Sequence, residues 1–512
     1  MIENMAGALK ELFTLSSALG LFIGVVGGMI IGALPGLSAT MGIALLIPVT
    51  YGMRPSAAIL MLAAIYTSAV YGGSISAILI HTPGTPSSAA TCLDGFPMTQ
   101  KGESLHAIGL STVSSVIGGV ISSIALLLIA PPLARLSLKF QAGEYFLIAI
   151  FGLTLIASLA GDSMVKGLIA GVFGLVVGLI GLHADSDVTY TFGYTGLLGG
   201  INLIPAMIGL FSVSQVMIQA EERGKNSSNE KVEAKIAGRF IPPAKEFVGL
   251  IPLILECSVV GVFIGILPGA GGDIASWVGL NLAKNQSKHP ELFGTGIAEG
   301  IAAPESANNA VTGGALIPLL TLGIPGSSTA AVLMGGLTIH GLAPGFELFS
   351  KYADITYCVI LGFLAANILM GLVGWAVGRY LTKVSKVPIP LLISCIAVLS
   401  LLGSYASSRS MTDVYVALVF GLVGFFFRKY GVPTAPVVLA LILGPMADKY
   451  MYQGGMYALK DDITFFQYLL TRPICIIIMV LIGLALLAPF ISKMISKAYS
   501  KKYGKVDAAE DI

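Results

Sequence analysis

The sequence predicts an all-α polytopic membrane protein: two structural repeats with broken helices and re-entrant hairpins, plus an extra C-terminal helix. Three observations carry this prediction. Of the 512 residues, 55% are hydrophobic and only 11% charged, against roughly 25% charged in a typical soluble domain; mean hydropathy is +0.88. Apolar runs of about 20 residues, long enough to cross a bilayer as helix, recur from end to end. One set of Gly/Pro motifs also occurs twice in the same order, which points to an internal duplication.

The first copy reads Gly32-Ala-Leu-Pro35-Gly36-Leu-Ser38-Ala-Thr40, then Tyr71-Gly-Gly73, then Thr82-Pro83-Gly84-Thr85-Pro86-Ser87-Ser88. The second reads Gly265-Ile-Leu-Pro268-Gly269, then Gly313-Gly314, then Ile324-Pro325-Gly326-Ser327-Ser328-Thr329. The Leu-Pro-Gly elements are offset by 233 positions and the Pro-Gly-Thr/Ser elements by 242.

Taken in order, apolar segments lie near 13–34, 41–51, 57–80, 105–131, 144–160, 164–182 and 198–217. Residues 1–218 therefore form a first transmembrane repeat, with its hairpin near 77–95. The stretch 219–245 is rich in Lys and Arg and reads as a charged linker, cytoplasmic by the excess of cations on that side. Residues 246–450 form the second repeat, with its hairpin near 316–340, and 451–512 hold a final helix and a basic tail (Lys493, Lys497, Lys501, Lys502, Lys505). With linker and tail on one side, inverted halves need an odd number of crossings each and an unpaired last helix. Arg135/Lys139 and Arg379/Lys383, basic at corresponding places in both halves, argue the other way. The N-terminus lacks the basic start and cleavage site of a removable signal peptide. The five cysteines sit in or beside apolar stretches at no metal-ligand spacing and read as packing residues.

Glycines spaced four apart (24, 28, 32 and 261, 265, 269) give a helix one side-chain-free face that another backbone can approach. Pro35 and Pro268 then remove a donor and break or kink the helix, and Gly36 and Gly269 permit the unusual backbone angles of a turn. Free amides and carbonyls at membrane depth are tolerated only where they line a cavity or are buried in protein. The Pro83-Gly84 and Pro325-Gly326 stretches read as an apolar half-helix, a tight turn and a second half-helix opening with hydroxyls, which can cap it. Helix starts carry partial positive charge and attract carboxylates. Ser38, Thr40, Thr85, Ser87, Ser88, Ser327, Ser328 and Thr329 are thus the candidate substrate-binding residues. None of the motif stretches contains Arg or Lys, so the expected pocket holds anions on peptide dipoles without a buried arginine.

Intramembrane carboxylates are costly and usually functional. Asp273, Glu305, Asn308 and Asn309 supply the carboxylate and amide oxygens suited to a hard cation such as Na⁺. No Gly-x-x-x-x-Gly-Lys-Ser/Thr loop, His-Glu-x-x-His or Gly-x-Ser-x-Gly motif occurs, so an ATPase or hydrolase reading finds no support and the chain is not expected to be an enzyme.

At Gly32-Ala-Leu-Pro-Gly36, His81-Thr-Pro-Gly-Thr-Pro86 with Asp94-Gly-Phe-Pro97, Ala303-Pro-Glu-Ser-Ala-Asn-Asn309 and Gly314-Ala-Leu-Ile-Pro-Leu-Leu-Thr-Leu-Gly-Ile-Pro-Gly326, the chain resembles the large membrane subunit of the tripartite tricarboxylate transporters, the TctA family. The likeness runs from about Leu21 to Met446. It implies a multi-pass permease of the bacterial inner membrane working with a small four-helix membrane subunit and a periplasmic substrate-binding protein. It further implies uptake of citrate-like tri- or dicarboxylates driven by a Na⁺ or H⁺ gradient, with no other cofactor. The rival readings are a non-transporting membrane scaffold, in which the glycines only pack helices, and a passive anion channel.

Overall fold

The structure, a computed structural model, describes residues 2–34, 36–154, 163–183, 187–225, 237–267, 271–384, 389–484 and 486. Pro35, Pro268, Gly269 and the tail lysines, named above as turn and topology residues, lie outside the described residues. The fold is almost wholly helical.

The N-terminal half opens with α1 (Ile2–Leu12) and α2 (Leu15–Ala33). After the first break, α3 (Ala39–Leu46) starts where Ser38 accepts the Met41 N–H at 3.2 Å, satisfying one of the amides left free at a helix start. α4 (Pro55–Ile80) has proline at its first position, where the missing N–H costs nothing. It ends at His81 in the left-handed region (φ 54), and a turn and the 3₁₀ segment Pro86–Ser88 lead into α5 (Ala89–Gln100). α6 (Ser104–Leu136), α7 (Ala142–Thr154) and α8 (Met164–Gly178) follow. A two-stranded antiparallel ribbon pairs β1 (Gly181–Leu182) with β2 (Val188–Thr189). α9 (Leu203–Met207) passes through a π-helical turn, Ile208–Val213, into α10 (Ser214–Lys225).

The C-terminal half carries the second copy of the sequence motifs. α11 (Ala244–Ile266) and the short α12 (Gly271–Gln286) flank the second break. α13 (Glu299–Leu322) ends at Gly323 in the left-handed region (φ 72), and α14 (Ser328–Ile339) begins where Ser327 accepts the Ala330 N–H at 3.1 Å. α15 (Phe346–Ser350), α16 (Ala353–Val384), α17 (Ile389–Ser408), α18 (Met411–Lys429), α19 (Ala435–Lys460) and α20 (Phe465–Leu470) complete the order. A last apolar helix covers Pro473–Leu484.

Among the described residues seven helices are long and apolar enough to cross a membrane, and the protein is a multi-pass membrane protein. Large apolar side chains such as Phe22, Leu128, Val172, Phe263, Trp375, Leu402 and Val419 stand exposed around the bundle. In water so much bare apolar surface is untenable for a monomer; in a bilayer these side chains meet lipid.

The centre is α4 and α13, buried on almost every side from Ser56 to Leu79 and from Gly300 to Thr321. Lipid is as apolar as leucine, so what holds such helices together is close packing and buried hydrogen bonds. The glycine faces provide the packing. Gly24 and Gly28 of α2 lie so close to α4 that a Cβ would stand 2.5 Å from the Met61 carbonyl oxygen and 2.8 Å from that of Ile65; at Gly32 it would collide with the Ala69 carbonyl. Gly261 and Gly265 of α11 lie likewise on the Ala307 and Val311 carbonyls of α13. Each turn glycine is then seated on a glycine of that face, with no room for a Cβ between Gly84 and the Gly32 carbonyl or between Gly326 and the Gly265 carbonyl. The helices that follow the turns cross over: α6 packs along α13, and α16 along α4 and α6.

Two features differ from the sequence reading. The first arm of each hairpin is a full-length helix (α4, 26 residues; α13, 24 residues) rather than a half-helix, and α13 stays helical through Pro304 and Pro318. Only the second arms, α5 and α14, are short, at 12 residues each, or about 18 Å of rise. The charged stretch after 218 is also partly helical: α10 carries on to Lys225 and α11 begins at Ala244, with 226–236 outside the described residues.

Candidate functional site

The two turns and the two breaks meet around one cavity of about 550 Å³. The first break contributes the stretch from Gly36 to Met41 and the second contributes Gly271, Gly272 and Asp273. The first turn supplies the stretch from Pro83 to Ser87, the second Ser327, Ser328 and Thr329. Tyr66 and Val70 on α4, and Asn308, Val311 and Thr312 on α13, form walls. Both sets follow the three- and four-residue spacing that puts side chains on one helix face.

The cavity therefore brings together seven of the eight hydroxyl residues singled out from sequence: Ser38, Thr40, Thr85, Ser87, Ser327, Ser328 and Thr329. Ser88 sits behind the turn, where its Oγ donates to the Thr85 carbonyl at 2.7 Å and holds the 3₁₀ segment. Several hydroxyls pair across the two halves: Thr40 Oγ1 lies 2.7 Å from Thr329 Oγ1, and Tyr66 OH 2.7 Å from Ser327 Oγ. Thr85 Oγ1 and Ser87 Oγ lie 3.1 Å apart within the first turn.

The four cation-side residues divide. Asp273 and Asn308 line the cavity; Glu305 and Asn309 do not. Glu305, 1% exposed, faces a cage of hydroxyls: Ser74 (2.5 Å) and Thr91 donate to Oε1, Ser111 (3.0 Å) and Ser115 (2.9 Å) to Oε2. Asn309 Nδ2 donates to the Ser115 carbonyl at 3.0 Å and reaches Thr67 Oγ1 at 3.4 Å. Asn308, one residue earlier and so about 100° round the helix from its neighbour, points the other way. It is 1% exposed, and among the described residues neither its Oδ1 nor its Nδ2 has a hydrogen-bond partner. The second break runs directly over it, since a Cβ on Gly272 would overlap Asn308 Oδ1 and stand 3.2 Å from Ser87 Cβ. Buried polar groups are ordinarily satisfied, so this amide is poised for something the cavity admits.

The outer wall comes from elements the motifs did not mark. Phe211 in the π turn, Gln215 on α10, Arg428 at the end of α18 and Pro433-Thr434-Ala435 before α19 complete the lining. π turns inside α-helices are frequent at functional sites. Arg428 corrects the expectation of a pocket without arginine: local sequence around the turns is free of cations, but α18 folds a guanidinium into the wall. Its Nη1 donates to Gln215 Oε1, and the Gln215 amide in turn faces Gly36, whose φ of 82 only glycine adopts readily (a Cβ would stand 3.0 Å from Gln215 Nε2).

Elsewhere in the first hairpin Asp94, fully buried, accepts three backbone N–H groups through Oδ1, from Gly294 (2.9 Å), Gly296 (2.8 Å) and Ile297 (3.1 Å). This ties α5 to the loop that enters α13.

Comparisons with known proteins identify the family. The model of the tripartite tricarboxylate transporter TctA family matches residues 19–439. An uncharacterised 52.8 kDa protein of the TAR-I ttuC' 3' region of Agrobacterium vitis is 33% identical over 476 residues, 93% of each chain. An uncharacterised protein of the TAR-II ttuC' 3' region of the same organism is 32% identical over 214 residues, 42% of this chain and 87% of the relative. No solved structure matches the chain. With most of its length covered by the family model, the chain belongs to the TctA family of tripartite tricarboxylate transporters.

Proposed function

We propose that the chain is the permease subunit that carries citrate-like tri- or dicarboxylates across the bacterial inner membrane, and that the substrate binds in the cavity between the two turns. The observation that carries this reading is the convergence of both turns and both helix breaks on one polar hollow. Helix starts and turns place backbone amides where carboxylate oxygens can take them, and the hydroxyls paired across the cavity can turn to donate to an anion. The membership supports partnership with a small membrane subunit and a periplasmic binding protein that delivers the substrate. We assign the coupling cation, Na⁺ or H⁺, to the Asp273 and Asn308 wall; Glu305 and Asn309 hold α13 against α6.

In the same reading the halves 1–218 and 246–450 are inverted repeats, the plan in which transporters place sites at the repeat interface. The test is uptake into proteoliposomes holding the full complex with its binding protein. Citrate and succinate should accumulate only under an imposed Na⁺ or H⁺ gradient. Flux that equilibrates without a gradient would favour a passive channel, and no flux with an intact assembly would favour a scaffold.

A further inference from the structure

Among the described residues Arg428 has no counter-charge: no carboxylate forms an ion pair with it, although Asp273 lines the same cavity. A guanidinium carries five N–H donors in a planar fork suited to carboxylate geometry; among the described residues its side chain donates to Gln215 Oε1 alone. Holding an unpaired charge in a half-buried wall is costly, and the cost is recovered when an anion docks. Across the cavity a second unspent group, the buried Asn308 amide, offers donor and acceptor together. Gln219 lies behind Gly36, its Nε2 2.7 Å from where a Cβ would stand, and its Oε1 is buried without a partner among the described residues.

We infer that Arg428 is the charged anchor for a carboxylate group of the transported molecule and that Gln215 is the residue that positions it. This inference rests on the carboxylate reading of the cavity and deepens it. The two hairpin turns then furnish neutral dipoles for the rest of the molecule, while the single full positive charge comes from α18, outside both turns. Because the guanidinium is held by Gln215 of α10, and Gly36 of the first break lies against that same amide, binding of a carboxylate joins the α10/α18 wall to the hairpin core. Gln215 does not touch the substrate in this account; it fixes the plane of the fork.

The test uses the full chain in lipid nanodiscs, with citrate, succinate and the uncharged triol glycerol as probes. The apparent dissociation constant comes from ligand-induced shifts in melting temperature. The wild type should be stabilised by citrate or succinate and not by glycerol. Arg428→Gln should weaken carboxylate binding roughly tenfold or more, the loss expected for a charge-assisted pair, and Arg428→Lys should recover part of it. Gln215→Ala should weaken binding less than Arg428→Gln while leaving the melting temperature of the unliganded protein near wild type. A purely structural arginine would lower that unliganded temperature and leave the ligand shift intact. If Arg428→Gln does not fold, phenylglyoxal modification of the wild type decides: citrate should slow modification at Arg428, and an unchanged rate overturns the assignment. Carboxylate binding that survives Arg428→Gln undiminished overturns the anchor alone. A wild type stabilised by no carboxylate overturns the reading of the cavity and the anchor with it.

Discussion

Glu305 sits in the most buried part of the protein with a full set of hydroxyl donors, and replacing it tests the packing account most severely. In Glu305→Ala four donors lose a charged acceptor: Ser74, Thr91, Ser111 and Ser115. A hydrogen bond to a charged group contributes about 1.5–3 kcal/mol, so the gross loss is roughly 6–12 kcal/mol. Two effects reduce it. Serine and threonine on helices can turn back to the carbonyl four residues earlier, and a buried carboxylate that no cation neutralises carries its own desolvation cost, which the substitution removes. A net loss of about 3–6 kcal/mol remains. Chains of about 150–250 residues lose about 2–4 °C per kcal/mol and longer ones less, so the purified protein should melt about 4–10 °C lower. Glu305→Gln keeps an acceptor for Ser74 and Thr91 but sets an amide against Ser111 and Ser115, and should lose about half as much. The assay is a thermal melt followed by size-exclusion chromatography in detergent. A melting temperature for Glu305→Ala within about 1 °C of wild type would refute the claim that this cage holds α13 against α4, α5 and α6.

Three further outcomes follow from the same contacts. Gly84→Ala and Gly326→Ala drive a methyl group into the Gly32 and Gly265 carbonyls respectively; with helix backbone on the other side unable to give, each should cut the yield of monodisperse protein several-fold. Gly249→Ala, which meets nothing within 4 Å, should leave the yield unchanged and serves as the control. Asp94→Ala strands the amides of Gly294, Gly296 and Ile297; at about 1–3 kcal/mol for each unsatisfied group, reduced by water reaching the loop, it should cost about 2–5 kcal/mol, read in the same melt. Asp94→Asn, which keeps an acceptor oxygen, should cost clearly less, and equal losses in the two variants would contradict the role given to Oδ1.

What could be read from sequence follows from where each signal is written. A broken helix announces itself locally, because proline deletes a donor and glycine supplies the backbone angles; hence the motifs around Gly36, Gly84 and Gly326 were visible and do meet in space. The glycine faces were legible for the same reason, since spacing by four fixes a helix side. Asn308 and Asn309 were not separable. α13 is buried on all sides, so its composition carries no polar face from which to read phase, and only the fold shows that Asn308 shares the cavity side with Thr312 while Glu305 and Asn309 share the other. Arg428 gave no signal at all. In Phe425-Phe-Phe-Arg428-Lys429 it looks like any basic residue ending a membrane helix, and its neighbour Lys429 behaves so, pairing with Glu221 at 2.9 Å. Its place in the cavity wall depends on α18 packing beside α10, some 210 residues away in sequence, and no local pattern encodes that.

In the proposed function, turns from both halves of the chain enclose one carboxylate. Site-directed labelling tests it most directly: Ser87→Cys and Ser327→Cys, each in the full complex in proteoliposomes, react with a small maleimide while citrate or succinate is titrated. The account predicts that the same carboxylate slows labelling at both positions with one midpoint concentration. Slowing at one position only, or at neither while uptake persists, would contradict it.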